Sequence, residues 1–331
     1  MSGTKFGSFA RLCKDSPLPW CNLFIRQISR HAPSILLPPS SDLTSAPVGF
    51  NPPCAINRIH HPSTFEGGGG RSDGNVALIV SCVFCFIWVL FLITRVSHRS
   101  AAVGRIEFRT FLLLYALSLP LQILTSSSLL SQSSLPLVVL TSLHAGLVVS
   151  LFFVLLWFGI VSTQWIDDGS LSSVIPMYTI SSALFILTTY ISLDIALSIT
   201  STFGPSDPPQ DLLSIPLFVL TQIWPAAATL IYFGIMLWVI LHVLQEIPPV
   251  WYFVLSLAIF VLAQLDFYIL SRTICQGTKA KIDGAFIATL LNTLSIAILY
   301  LGWTHITEES WDDEVYRPYE GPPQPPNSIG L

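Results

Sequence analysis

Seven apolar runs govern what this chain can become. They cover residues 75–94, 110–130, 137–161, 174–197, 216–242, 250–270 and 284–303. Each is near the roughly 20 residues that carry a helix across a bilayer. A backbone in lipid must satisfy its own hydrogen bonds, so each run is expected as a helix. Composition agrees: 52% of the 331 residues are hydrophobic and 10% are charged, against about 25% charged in soluble proteins. The expected fold is an all-α, polytopic membrane protein with seven transmembrane helices. Pro120, Pro176, Pro216 and Pro225 are expected to start or kink helices. Membrane lipid is the expected surrounding, and a net charge of −4 argues against a nucleic-acid partner.

Three regions follow from the runs: residues 1–74 as an N-terminal tail containing cysteine and proline, 75–303 as the membrane domain, and 304–331 as an acidic, Pro-rich tail. No cleaved signal peptide is visible at the start. The first region is more than a linker, because LCKDSPLPWCNLF (12–24) and GFNPPC (49–54) mix apolar residues with cysteines. It reads as a small folded segment docked on the membrane part, with a flexible joint over 65–74.

Charge sets the expected orientation. Arg95, Arg99, Arg105 and Arg109 crowd the far side of the first run, while only Arg71 lies close on the near side. Positive charge stays cytosolic, so the N-terminus is expected in the lumen and, after seven spans, the C-terminus in the cytosol. Arg272, Lys279 and Lys281 then fall on the luminal side, against the trend. Cys13, Cys21, Cys54 and Cys275 also become luminal, where disulfides form. Four thiols allow three pairings; Cys13 with Cys21 and Cys54 with Cys275 is the favoured one. Cys82 and Cys85 lie inside the first run and read as inert packing residues.

The stretch Ala263–Ala285 is the most marked of the chain. It places Asp266 and Asp283 at the ends of two runs, with Arg272, Lys279 and Lys281 in a polar turn that holds Cys275. Ion pairs across this turn are expected to fix the two helices. Asp194, near another run end, is likewise expected to pair with a loop cation. His144, Gln222, Gln264 and Asn292 are expected to make polar contacts between helices. His242 and Glu246 read as solvated. No phosphate loop, dinucleotide fingerprint, zinc motif or serine-hydrolase elbow is present. No catalytic residue, cofactor or metal is expected, and the protein is read as acting by binding.

In order along the chain, the pattern resembles the fungal chitin synthase export chaperones. Cys13, Pro17-Leu18-Pro19, Cys21 and Pro53-Cys54 are similar to the family's opening. Gly104-Arg105-Ile106-Glu107 resembles its Gly-Arg-x-Glu, and Trp165 with Asp168-Gly169 its Trp-x-x-Asp-Gly. Ile274-Cys275, Gly277 and Asp283-Gly284 resemble its last loop. The resemblance implies a multi-pass protein of the endoplasmic reticulum membrane that binds a chitin synthase and permits its export, supporting cell-wall chitin synthesis. Its expected contact or structural residues are Gly104, Arg105, Glu107, Trp165, Asp168, Gly169, Asp266, Asp283 and Gly284. Polar groups on the spans are expected to cover those of an unpartnered client. Oligomeric state is left open. The alternative is a seven-helix receptor or transporter; the lack of an internal repeat disfavours the latter.

Overall fold

A computed structural model describes residues 5–31, 75–99, 102–127, 129–130, 134–200, 202–203, 211–278 and 282–315. Two short helices come first: α1 (Ala10–Asp15) and α2 (Cys21–His31). Four long ones follow: α3 (Val76–His98), α4 (Arg105–Ser126), α5 (Leu135–Ser162) and α6 (Leu171–Leu197). The rest are α7 (Ile215–Leu244), α8 (Pro248–Gly277) and α9 (Gly284–Val315). The helices α3 to α9 contain the seven segments long and apolar enough to span a membrane. Among the described residues the sole β feature is a bridge between Ser8 and Leu213.

The helix starts are written in short polar residues. The side chains of Asn75, Ser134 and Ser170 accept from the backbone N–H groups of Leu78, Leu137 and Ser173, capping α3, α5 and α6 in that order. Such caps satisfy N–H groups that have no partner within the helix. Pro136, Pro216 and Pro248-Pro249 stand in first turns, where a missing N–H costs nothing. Pro225 lies deeper, inside α7. Its ring crowds the carbonyl four residues back, and a wider π-turn at Val219–Ile223 precedes it. Two more π-turns follow: Val239–Leu244 ends α7, and Asp266–Leu270 interrupts α8. Pro120 and Pro176 sit inside α4 and α6.

Several helices run past their apolar windows. Helix α4 starts at Arg105 and takes in Glu107 and Arg109. The expected polar turn after residue 270 is helical through Gly277, so Cys275 lies on α8. Helix α9 continues to Val315, beyond the boundary at residue 303. Polar residues tolerate the last turn of a spanning helix because their ends reach interfacial water.

Helix α5 is the most enclosed of the seven, and α8 the least. The main core gathers Phe108, Phe111, Phe158, Met177, Tyr232 and Trp303 from five helices. Outward faces are apolar too: Val80, Phe84, Ile87, Trp88 and Phe91 form one exposed stripe on α3. That stripe repeats at helical spacing and is the face for lipid. Cys82 and Cys85 lie on the opposite side of α3, buried and unpaired.

Candidate functional site

The sequence-marked residues collect at the two ends of the bundle. At one end, α1 and α2 fold over the helix termini as a lid. Neither is long enough to be stable alone. A disulfide joins Cys13 to Cys21, with Cα atoms 5.7 Å apart, and both residues are fully buried. Leu23, Phe24 and Ile28 turn into a cluster with Val138, Ala145, Ile191 and Ile195 of α5 and α6.

The lid also finishes helices it does not belong to. Asn22 Nδ2 donates to the Thr125 carbonyl at 3.2 Å, and Gln27 Nε2 to the Ile195 carbonyl at 3.1 Å. Those carbonyls lie in the last turns of α4 and α6, where no intrahelical partner exists. Ahead of α1, Phe9 N donates to the Leu212 carbonyl and Ser214 N to the Gly7 carbonyl. Lys5 and Asp211 pair at 2.9 Å, both partly exposed.

Beside the lid sits the junction of α3, α8 and α9. Asp283 Oδ1 accepts from Phe286 N at 3.0 Å and so caps α9. Its Oδ2 accepts from Asn75 Nδ2 at 2.9 Å, while Asn75 Oδ1 caps α3 through Leu78 N at 3.1 Å. One amide and one carboxylate thus cap two helices and hold each other. Burial raises the Asp283 pKa above the ordinary carboxylate value, against the hydrogen bonds that lower it. Gly284 N donates to Ser271 Oγ, and a Cβ on Gly284 would lie 2.6 Å from the Ser271 Cβ. Only glycine lets α9 start this close to α8.

Among the described residues, hydrogen bonds rather than the expected ion pairs hold this junction. Arg272 lies 3.8 Å from Asp15 of α1, half exposed. Asp283 bonds to an amide, and Asp266 is buried with Oδ2 unpartnered. A buried carboxylate is better served by fixed N–H donors than by a long, flexible cation. Asp194 differs in the same way: it accepts from the N–H and hydroxyl of Thr200, both at 2.6 Å, closing the end of α6. Lys279, Lys281 and Cys54 lie outside the described residues; Cys275 is disulfide-bonded.

At the other end, three pieces of chain lock together. Gly104 precedes α4 in a left-handed conformation (φ 70°), and its missing Cβ leaves room for Phe158, which would otherwise be 2.7 Å away. Gly104 N donates to Asp168 Oδ2 at 3.2 Å, joining the α3–α4 and α5–α6 loops. Glu107 is completely buried and accepts from Ser173 Oγ at 2.7 Å; that hydroxyl also accepts from Trp157 Nε1 at 3.4 Å. Its place in the first turn of α4 suits the positive end of the helix dipole. Trp303, late in α9, donates to the Val103 carbonyl at 3.0 Å and packs on Phe108. Gly169 (φ 63°) allows the turn before α6.

What this end shows to its surroundings is different from what holds it. Trp165 is 88% exposed, its chain neighbours Asp167 and Asp168 are exposed, and on α4 Arg109 is exposed and Arg105 half-buried. Glu107 cannot touch a partner directly.

Several polar groups of the spans face inward and bond to one another. His144 Nδ1 meets Thr125 Oγ1 at 3.1 Å, Gln264 donates to Asn292, and Tyr268 donates to Gln222. Tyr115 pairs with Thr293, and Gln122 with Thr289. These bonds join the protein's own helices. His242 is exposed and stacks on Trp238; Glu246 is half-buried. Among the described residues no cluster of His, Cys, Asp or Glu could hold a metal ion. The caps at Asn22, Gln27 and Asn75 escaped the sequence reading. Asn75, directly before an apolar run, carried a legible signal.

Comparison with known proteins places this architecture. A family model described as "Chitin synthase export chaperone" matches residues 5–317. A chitin synthase export chaperone of Aspergillus oryzae is 26% identical over 310 residues, 94% of this chain and 85% of that one. One of Chaetomium globosum is 27% identical over the same shares, and one of Fusarium oxysporum is 27% identical over 317 residues, 95% and 85%. No solved structure matches. The match takes in the lid, both locked ends and all seven spans, and the chain belongs to the chitin synthase export chaperone family.

Proposed function

We propose that this protein is a non-enzymatic chaperone of the endoplasmic reticulum membrane that binds a chitin synthase and enables its export. The observation that carries the reading is the family match over residues 5–317. The lid end is assigned to the lumen and the Gly104–Asp168 end to the cytosol. Arginine placement supports this, with Arg95, Arg99, Arg105 and Arg109 on the second side. Disulfide bonding of Cys13, Cys21 and Cys275 fits the oxidising lumen. Cys54 is the proposed partner of Cys275. The cytosolic face around Trp165, Arg109 and Asp168 is the proposed client contact. Inward use of the span polar groups leaves close apolar packing as the means of contact within the bilayer.

The test is trafficking. In fungal cells lacking this protein, a tagged chitin synthase should stay in the endoplasmic reticulum and wall chitin should fall, with the synthase message unchanged. Normal delivery of every chitin synthase to the cell surface would remove the proposal. Protease added to sealed microsomes should remove a C-terminal tag and spare an N-terminal one.

A further inference from the structure

The bundle is not filled. Between α4, α5, α7, α8 and α9 lies a cavity of about 380 Å³, within the range of about 300–1,000 Å³ typical of small-molecule sites. Its two halves differ. Toward the middle of the spans the wall is aromatic and aliphatic: Phe111, Leu151, Phe152, Phe233 and Phe260. Toward the lid it is polar, with Gln122, Gln264, Asn292 and Tyr268, and Leu18-Pro19-Trp20 of the lid close the top. No Asp, Glu, Lys or Arg lines it.

The polar half has unused capacity of a definite kind. Gln264 Nε2 donates to Asn292 Oδ1 at 3.3 Å. That bond leaves the Gln264 Oε1 acceptor and the Asn292 Nδ2 donors without a protein partner. An acceptor beside a donor is the complement of one hydroxyl, which donates to the first and accepts from the second. A phosphate head finds no cation here to offset its burial.

The way in is lateral. Helix α8 packs along α9, whereas α7 and α8 touch sparsely. Ala226 of α7 lines the cavity and is exposed, which puts a mouth at the α7–α8 seam. Two of the three π-turns contribute wall residues, Thr221 and Gln222 from Val219–Ile223, Phe267 and Tyr268 from Asp266–Leu270. Tyr268 Oη donates to Gln222 Oε1 at 2.7 Å across the seam. These two π-turns lie on either side of the seam, and such turns are frequent at functional sites.

We propose that this cavity binds one uncharged, hydroxyl-bearing membrane lipid. Its hydroxyl sits between Gln264 Oε1 and Asn292 Nδ2, its hydrocarbon lies against Phe111, Phe152 and Phe260, and it enters from the bilayer past Ala226. A sterol and a monoacylglycerol share this chemistry. The site stands independently of client binding.

The test uses the full-length protein reconstituted in phosphatidylcholine nanodiscs. Four photoreactive probes are compared: a sterol with a free 3-hydroxyl, the same sterol as its methyl ether, a monoacylglycerol, and a phosphatidic acid. Labelled residues are mapped by mass spectrometry. At least one hydroxyl probe should label wall residues near Phe260 and Asn292; which one does identifies the lipid. Blocking the mouth with Ala226→Trp should remove that labelling, and the pair Gln264→Leu with Asn292→Leu should weaken it about tenfold, the effect of losing a net hydrogen bond. Should the double variant fail to fold, Ala226→Trp decides, since it changes an exposed position. Labelling confined to the outer faces, equal internal labelling by phosphatidic acid or by a methyl ether where the sterol labels, or labelling indifferent to Ala226→Trp overturns the proposal.

Discussion

The two ends of the bundle are locked by different means. At the lid end a separate segment, stapled by Cys13–Cys21, supplies the caps that α4 and α6 lack. Nearly every group there is spent on the protein itself. At the opposite end the lock is internal: Gly104, Glu107, Ser173 and Trp303 sit beneath the surface and hold two loops. Above them Trp165 and its charged neighbours remain exposed. The contrast teaches which residues can be changed without unfolding the chain. The lid end should answer mutation through abundance; the other end separates a buried support from an exposed face.

The staple offers the hardest way to test the comparison. Cys13→Ser or Cys21→Ser frees a closed loop and should cost about 2–4 kcal/mol. Two short helices would then lose their hold on the termini of α4 and α6. Abundance and detergent-solubilised thermal stability should both fall, and equal stability of the serine variants would show that packing alone holds the lid. Non-reducing peptide mapping should also recover a peptide linking Cys54 to Cys275, with Cys82 and Cys85 reduced.

The Asn75–Asp283 pair gives a sharper instrument. Asp283→Asn sets an amide donor against the Asn75 donor, and Asn75→Asp sets two buried carboxylates together. Each single change should cost about 1–3 kcal/mol, the penalty of an unsatisfied buried group. Made together, they restore one donor facing one acceptor, keep both caps, and should recover most of the loss. A pH titration adds a sign. The folded pKa of Asp283 is raised by burial, so the folded state binds the proton more tightly. Its contribution is present below the ordinary carboxylate range and is lost as pH rises through the raised value. Asp283→Asn should flatten that part of the stability profile.

The support beneath the other face should be similarly intolerant. Gly104→Ala meets Phe158 and forces a left-handed conformation on a residue with a Cβ. It should cost about 1–3 kcal/mol, as strain and overpacking do. Glu107→Gln keeps an acceptor for Ser173 and should be milder than Glu107→Leu. Thermal melts of the purified variants check the order.

Much of this contrast was legible in the sequence, and the rest was hidden for physical reasons. Apolar runs announced every span, because lipid imposes a length on each. The ends were misplaced where Arg105, Arg272 or Thr304 continue a helix with residues that hydropathy discounts. Gly104, Asp168 and Gly169 stood out as motifs, yet their meeting required the α3–α4 and α5–α6 loops to be adjacent. Asp283 and Asp194, expected to pair with cations, are instead met by N–H and hydroxyl donors at helix ends, while Asp266 keeps a buried oxygen without a partner. Nothing in the one-dimensional pattern told which way Gln264 and Asn292 faced. Helix rotation decides that, and both faces of these helices are apolar enough to pass for lipid-facing.

The smallest effect on stability belongs to Trp165, and it separates support from face most cleanly. Its side chain is 88% exposed on a loop tip and has little packing to lose. Trp165→Ala should change stability by no more than about 0.5 kcal/mol, the usual range for surface positions. A tryptophan is nonetheless costly to leave in the open, and such exposed aromatics serve as partner contacts or as anchors at the bilayer surface. The two roles part under substitution. Trp165→Tyr preserves an interfacial anchor, so an anchor would retain full synthase export in that variant and lose membrane placement in Trp165→Ala. A client contact predicts unchanged membrane placement in both, with co-purification of the synthase falling in both and furthest in Trp165→Ala. Arg109→Ala, on the same face, should weaken co-purification in step. Synthase capture unchanged in all three variants would take this face out of client recognition while leaving the lock beneath it intact.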